Sequence, residues 1–218
     1  MTIQEAVDGI LRLKPYLEES IDDGLINITS LARKIRAEVS RKIGRPATGG
    51  AIVMAIQRHQ PGKLAAIKIR SGNLLKNLSN IIVRSDISVF TYENSSTLPE
   101  RLVKVSGLLS KKKGVFYTFS QGVFETTIIL NQWANDEMKE FMMNERQIAY
   151  TDNLACITLY LPDENTGIAG YYYYILKMIA WEGINITEIL STTNEFSIIL
   201  DENDVDRAFS VLKKARKA

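Results

Sequence analysis

Glu125-Thr126-Thr127-Ile128-Ile129-Leu130 and Glu195-Phe196-Ser197-Ile198-Ile199-Leu200 are one pattern written twice, 70 residues apart. Working outward, Asp136 meets Asp206 at the same offset, and Gly114 meets Gly183 at 69, one residue having been gained between them. A fixed spacing of this kind marks two copies of one structural unit. Runs rich in β-branched and aromatic residues predict a first strand in each copy, at Ile87–Tyr92 and Leu154–Leu161. Polar loops follow, and then amphipathic helices. One carries Leu98, Leu102, Val105 and Leu109; the other carries Ile168, Tyr172, Ile175, Leu176 and Ile179 on its inward stripe. Thr97-Leu98-Pro99-Glu100 has capping-box spacing, and Gly114 and Gly183 read as C-caps. Two strands come next, Val115–Ser120 and Thr126–Leu130 in the first copy, Ile184–Leu190 and Glu195–Leu200 in the second. A last helix carries Met138, Phe141 and Met142, or Val205, Ala208, Phe209 and Leu212. Ile148–Tyr150 offers a fourth strand to the first copy. The order is that of a ferredoxin-like α+β sandwich, and two such units paired side by side bury more apolar surface than either alone.

The chemistry concentrates in the second copy. Residues 163–170 run from a strand end into a helix start, where free backbone N–H groups and the helix dipole favour a carboxylate. Gly167 and Gly170 let a ligand approach the backbone. Asn185, at the start of the next strand, offers both a donor and an acceptor, which suits an amino acid's carboxylate and amine. Cys156 alternates within a strand and reads as a small core residue.

Asn165-Thr166-Gly167-Ile168-Ala169-Gly170, then Glu182-Gly183-Ile184-Asn185-Ile186, then residues 191–200 resemble the ACT domain, in the paired form found at the C-terminus of aspartokinases. The resemblance covers about 80–218. It implies a non-catalytic sensor of a small metabolite, an amino acid, touching Asn165, Thr166, Gly167, Ile168, Ala169, Gly170, Asn185 and Ile186. The first copy departs from that pattern: Leu98 or Pro99 stands where the family has its loop glycine, and Val115-Phe116 replaces Ile184-Asn185. No aspartokinase catalytic domain fits in the remaining 79 residues.

Those residues are basic. The net charge of +2 over 218 residues divides into +6 for 1–79 and −4 for 80–218. Apolar spacing gives a helix over 3–22, kinked or broken at Pro15 and ended by Gly24. A second follows, capped by Thr29 or Ser30 and striped by Leu31, Ile35, Val39 and Ile43. Thr48 caps a third, with Ile52, Val53 and Ile56 inward. Three short helices with a tight turn fit a helix-turn-helix or winged-helix module, and the segment resembles winged-helix segments of prokaryotic ACT proteins. Arg33, Lys34, Arg36, Arg41, Lys42, Arg45 and Arg58 are its candidate DNA contacts. Residues 61–79 read as a connector. The lone His59 reads as a surface residue, because no nucleophile is paired with it in any motif.

One His and one Cys exclude a zinc cluster and a disulfide framework. The most apolar window, 167–186, is interrupted by Lys177 and Glu182, so no membrane span is expected. The acidic N-terminus, with Glu5 and Asp8, does not read as a signal peptide, and the expected location is the cytoplasm. Tyr171, Tyr174, Met178 and Trp181 form an extra apolar helix stripe that suits an oligomer interface in a homodimer. The reading is thus a basic head at 1–79, ACT-like units at 80–152 and 153–218, no cofactor, no metal and no catalysis. The body binds an effector and the head binds DNA; alternatively, the chain is a regulatory or scaffolding subunit of a protein enzyme.

Overall fold

Pro15 breaks the first helical stretch in two. The computed structural model describes residues 1–59, 80–163, 167 and 170–216. It contains α1 (Ile3–Arg12) and α2 (Pro15–Asp22), with Pro15 in the first turn of α2, where its missing N–H costs nothing. Thr2 and Glu5 close a reciprocal capping box at the start of α1. The next helix, α3 (Ile28–Ile43), starts earlier than its hydrophobic stripe suggests: Asn27, not Thr29 or Ser30, is the cap, its side-chain oxygen accepting from the Ser30 N–H at 3.0 Å. Thr48 caps α4 (Gly49–Arg58). The described residues of the head therefore hold four helices where the apolar spacing gives three. Its core is Val7, Ile10 and Leu11 against Leu31, Ile35, Val39, Ile52 and Ile56. No strand occurs among the described residues of the head, so the wing of a winged helix is not seen there; the expected connector, 61–79, lies outside the described residues.

The body is α+β. Its elements are β1 (Ile81–Glu93), α5 (Leu98–Leu109), β2 (Tyr117–Gln121), β3 (Glu125–Asn131), α6 (Asn135–Phe141), β4 (Gln147–Tyr160), α7 (Tyr171–Trp181), β5 (Glu188–Ser191), β6 (Glu195–Asp201) and α8 (Val205–Ala215). One six-stranded antiparallel sheet runs in the order β2-β3-β1-β4-β6-β5. The offset of 70 carries β3 onto β6, the 3₁₀ turn Gln132–Ala134 onto Glu202–Asp204, and the first residue of α6 onto that of α8.

The centre of the sheet differs from the expectation. Ile148–Tyr150 and Leu154–Leu161 are not two strands but parts of one, β4, and β1 starts at Ile81 rather than Ile87. The two long strands pair along their whole length, Ile81 opposite Leu159 and Tyr92 opposite Gln147. The register slips between Arg84 and Ile87. Beside that slip Asp86 and Asn153 adopt φ of 55° and 52°. Asp and Asn are the side-chain-bearing residues best suited to this left-handed region, and the resulting bulge sharpens the strand twist. Expected boundary 152/153 falls inside β4.

Phe90, Tyr92, Ile128 and Leu130 pack on α5 through Leu98, Val105 and Leu109, and on Met138 and Met142. Burial pushes the Tyr92 phenol up to about 12. On the opposite sheet face Ile87, Val89, Ile129, Leu154, Cys156 and Ile199 form a second cluster. Cys156 is fully buried, and that burial raises its thiol, which suits a packing residue rather than a reactive one.

Several ends move for local reasons. Gly183, at φ 70°, closes α7 in a Schellman turn: its N–H donates to Ala180 O, and Ile184 N–H donates to Ile179 O. Gly114 does not cap α5, whose C-cap is Ser110. Strands β2 and β5 begin at Tyr117 and Glu188, later than Val115 and Ile184. Tyr172, expected inward, is 38% exposed and stacks on Phe196 with ring centroids 4.6 Å apart.

Candidate functional site

The second copy's loop begins at the end of β4. There Leu161 N–H donates to Asn194 O at 2.6 Å, and the Asn194 amide donates to Leu161 O and to Asp163 Oδ1 at 3.3 and 2.6 Å. The β5–β6 hairpin tip therefore holds the loop entry. Gly170 stands at φ 80°, and a Cβ at Gly167 would meet no atom within 4 Å. Asn165, Thr166, Ile168 and Ala169 lie outside the described residues. Asn185 is exposed and Ile186 half-buried, both ahead of β5 rather than in it. Thr187 N–H, donating to Ile199 O at 2.8 Å, fixes that segment to β6.

The matching loop of the first copy is tied down in the same way. Asn94 N–H donates to Phe124 O at 2.8 Å, its amide donates to Gly122 O at 2.9 Å, and the Thr126 hydroxyl donates to Asn94 Oδ1 at 2.6 Å. Here a carboxylate already sits at the helix start. The Ser95 hydroxyl donates to Glu145 Oε2 at 2.5 Å, the Thr97 hydroxyl donates to Oε1 at 2.7 Å, and Arg101 Nε forms an ion pair with Oε1 at 2.6 Å. Ser95 Oγ also accepts from Leu98 N–H at 3.0 Å, so Ser95 caps α5; Thr97 makes no side-chain cap, and the capping-box expectation fails. The Glu145 side chain is 2% exposed. Burial pushes its carboxyl up, but the two hydroxyls and the guanidinium together outweigh that and hold it below the usual carboxylate range. Two hydroxyls, a cation and a helix start make a carboxylate receptor. Ser95, Arg101 and Glu145 were not legible as a group, since Ser95 and Glu145 are 50 residues apart.

In the head, Arg33, Lys34, Arg36, Arg41, Lys42, Arg45 and Arg58 are all exposed. Arg36 has a structural task as well: its Nε donates to Ala47 O at 2.9 Å, holding the turn before α4. His59 is not a surface residue. Its ring is 5% exposed, Nδ1 lies 2.6 Å from Asp8 Oδ1, and Nε2 lies 3.0 Å from Glu18 Oε1. It ties the end of α4 to α1 and α2. On α7, Tyr174, Met178 and Trp181 line a groove of ≈ 350 Å³ with Lys177, Glu182 and Val211. Tyr171, expected in that stripe, is 2% exposed and drops out of it. Among the described residues, no cluster of three or more His, Cys, Asp or Glu is placed to hold a metal ion, and no helix is long and apolar enough to cross a membrane.

No protein-family model matches the chain, and no curated protein matches its sequence. Solved structures do. The ligand-free regulatory subunit of aspartate kinase from Thermus thermophilus matches with a TM-score of 0.52 at 12% identity, over 63% of this chain and 97% of that one. The aspartokinase α and β subunit structure gives 0.52 at 16% identity, over 65% and 99%. This chain carries the fold of ACT-type aspartate kinase regulatory domains. Against the whole of E. coli aspartokinase III, in complex with aspartate and ADP, the TM-score is 0.51 at 14% identity, and only 34% of that chain is covered. What is shared is the ACT-type sheet and its helices.

Proposed function

We propose that the chain is a non-catalytic regulator whose body consists of two ACT-type units joined through β1 and β4, and whose second unit binds a small carboxylate effector, an amino acid. The observation that carries this reading is Glu145. In the first unit the strand-to-helix loop holds a carboxylate with two hydroxyls, a cation and the start of α5. By sequence the offset of 70 takes Glu145 to Ala215, the last residue of α8, which carries no carboxylate. The second unit's loop instead offers Asn165 and Thr166 beside two glycines, with Asn185 able to meet both ends of a zwitterion. The first unit is thus closed by the chain's own acid, and the second is left for a free one.

Thermal unfolding with each of the common amino acids at millimolar concentration tests the reading. At 100 times its Kd, a ligand stabilises the folded state by about 2.7 kcal/mol, an upward Tm shift of about 5–10 °C for a chain of this size. Asn185→Ala is expected to remove most of that shift while leaving the unliganded Tm unchanged. Equal Tm values with every amino acid would refute the effector.

For the head we propose DNA as the target of the basic face of α3. Retention of duplex DNA should fall steeply between 50 and 200 mM salt, on the order of 10-fold or more for a few phosphate contacts. Arg33→Glu, Lys34→Glu and Arg41→Glu together should abolish it; Arg36 is left in place because it holds Ala47. The resemblance to a separate regulatory subunit favours a second reading, in which the head docks on a protein enzyme. No retention of DNA at any salt concentration, together with an enzyme that co-purifies with the chain, supports that reading over DNA.

A further inference from the structure

We infer that Ser95, Thr97 and Arg101 form a binding site for a small carboxylate in their own right, and that Glu145 is its tethered ligand. The site belongs to the first unit and stands whether or not the second unit takes an effector. Its donors do not depend on Glu145 for their positions. Ser95 Oγ accepts from the N–H groups of Thr97 and Leu98 at 3.3 and 3.0 Å. The Thr97 hydroxyl lies 3.1 Å from Ser95 Oγ. Arg101 Nη1 donates to Phe141 O at 2.7 Å, which ties the guanidinium to the end of α6. Each donor is set before any carboxylate arrives, and a preorganised site binds at little ordering cost.

The backbone that carries Glu145 is held just as independently. Residues 142–146 join α6 to β4. The Glu145 N–H donates to Met142 O at 2.8 Å, and the Arg146 carbonyl accepts from Glu93 N–H at 3.0 Å. The main chain on both sides of Glu145 therefore stays in place when the side chain is cut back. Glu145→Ala removes one CH₂–CO₂⁻ group, the size of acetate, and leaves a hollow rimmed by two hydroxyls and a cation. Acetate matches that hollow in shape and charge. In the natural chain the short tether supplies the carboxylate at a local concentration on the order of millimolar or more, so scarcer free acids leave the site filled from within. The first unit carries its ligand permanently, and its loop does not respond to free acids.

Thermal unfolding of the full chain in sodium acetate, from about 1 to 100 mM, tests the site, with sodium chloride at equal ionic strength as the blank. Tryptophan fluorescence follows the body. The readout is the gain of Glu145→Ala over that of the wild type, which cancels any acetate held in the second unit. At ten times the acetate Kd, a gain of about 3–6 °C is expected. Acetamide, equal in shape but uncharged, should give none. Adding Thr97→Val to Glu145→Ala deletes one donor and leaves the Ser95 cap in place; it should weaken acetate by about 10-fold. If circular dichroism finds Glu145→Ala unfolded, the same titration should restore its fold. Equal responses of wild type and Glu145→Ala overturn the inference. So does an equal response to acetamide, an acetate affinity that Thr97→Val leaves unchanged, or an unfolded Glu145→Ala that acetate does not restore.

Discussion

His59→Ala should unfold the head while leaving the body standing. The Glu18 side chain is 3% exposed and meets His59 Nε2 at 3.0 Å; Asp8 meets the other ring nitrogen at 2.6 Å. Removing the ring strands a buried carboxylate, and breaking a buried pair from one side costs about 3–5 kcal/mol. That is a large part of the roughly 5–15 kcal/mol that holds a typical domain together. Both tryptophans, Trp133 and Trp181, lie in the body. Urea unfolding followed by far-ultraviolet circular dichroism should therefore show an early loss of helix that tryptophan fluorescence does not. Replacing both partners, His59→Leu with Glu18→Leu, should recover much of the loss, because the buried carboxylate leaves with the ring and Asp8, 28% exposed, still reaches water. If His59→Ala moves the first midpoint by less than about 0.5 kcal/mol, an ordinary surface effect, the clamp is not structural.

Glu145→Ala is the second large effect, and it carries a pH signature. The carboxylate accepts from Ser95 and Thr97 and pairs with Arg101. Without it, two hydroxyls lose their acceptor and a guanidinium its counter-charge at the start of α5, at a cost of about 3 kcal/mol at neutral pH. The fold holds the ionised form, since the Glu145 carboxyl lies below its usual range. Its contribution is therefore fully present above the unfolded glutamate value of about 4.3, and it fades as pH falls from there toward the depressed folded value. The gap in stability between wild type and Glu145→Ala should be widest at pH 7 and narrow steadily on acidification below pH 4.3. A gap that stays constant with pH, read from urea midpoints, would mean that the carboxylate's charge has no part in holding the loop.

What could be read from the sequence is what depends on near neighbours. Pro15 cannot continue a helix, Thr48 has the N–H groups it caps three residues away, and the repeat declares itself in Glu125–Leu130 and Glu195–Leu200. The missed features are long-range or conformational. Ile81-Ile82-Val83 looks like the tail of a connector until Cys156–Leu159 is known to lie opposite. The left-handed turns at Asp86 and Asn153 leave the composition unremarkable, so one long strand reads as two. The sequence hides the burial of His59, because its partners, Asp8 and Glu18, are 51 and 41 residues away. The Glu145 receptor is hidden for the same reason. Of the loop at 163–170, the sequence string is plain, while the structure adds a tether from Asn194 to Asp163 and open space at Gly167.

The pairing of β1 with β4 has a practical meaning for anyone dividing this molecule. Ile81–Arg84, at the start of the first half, lie against Cys156–Leu159 of the second, so the first half lends the second a strand neighbour at the centre of the sheet. A fragment ending at residue 152 would bare the amides and carbonyls along Ile81–Arg84, a template for fibrous self-association. Dividing the body between its two copies therefore costs strand pairing on both sides of the cut.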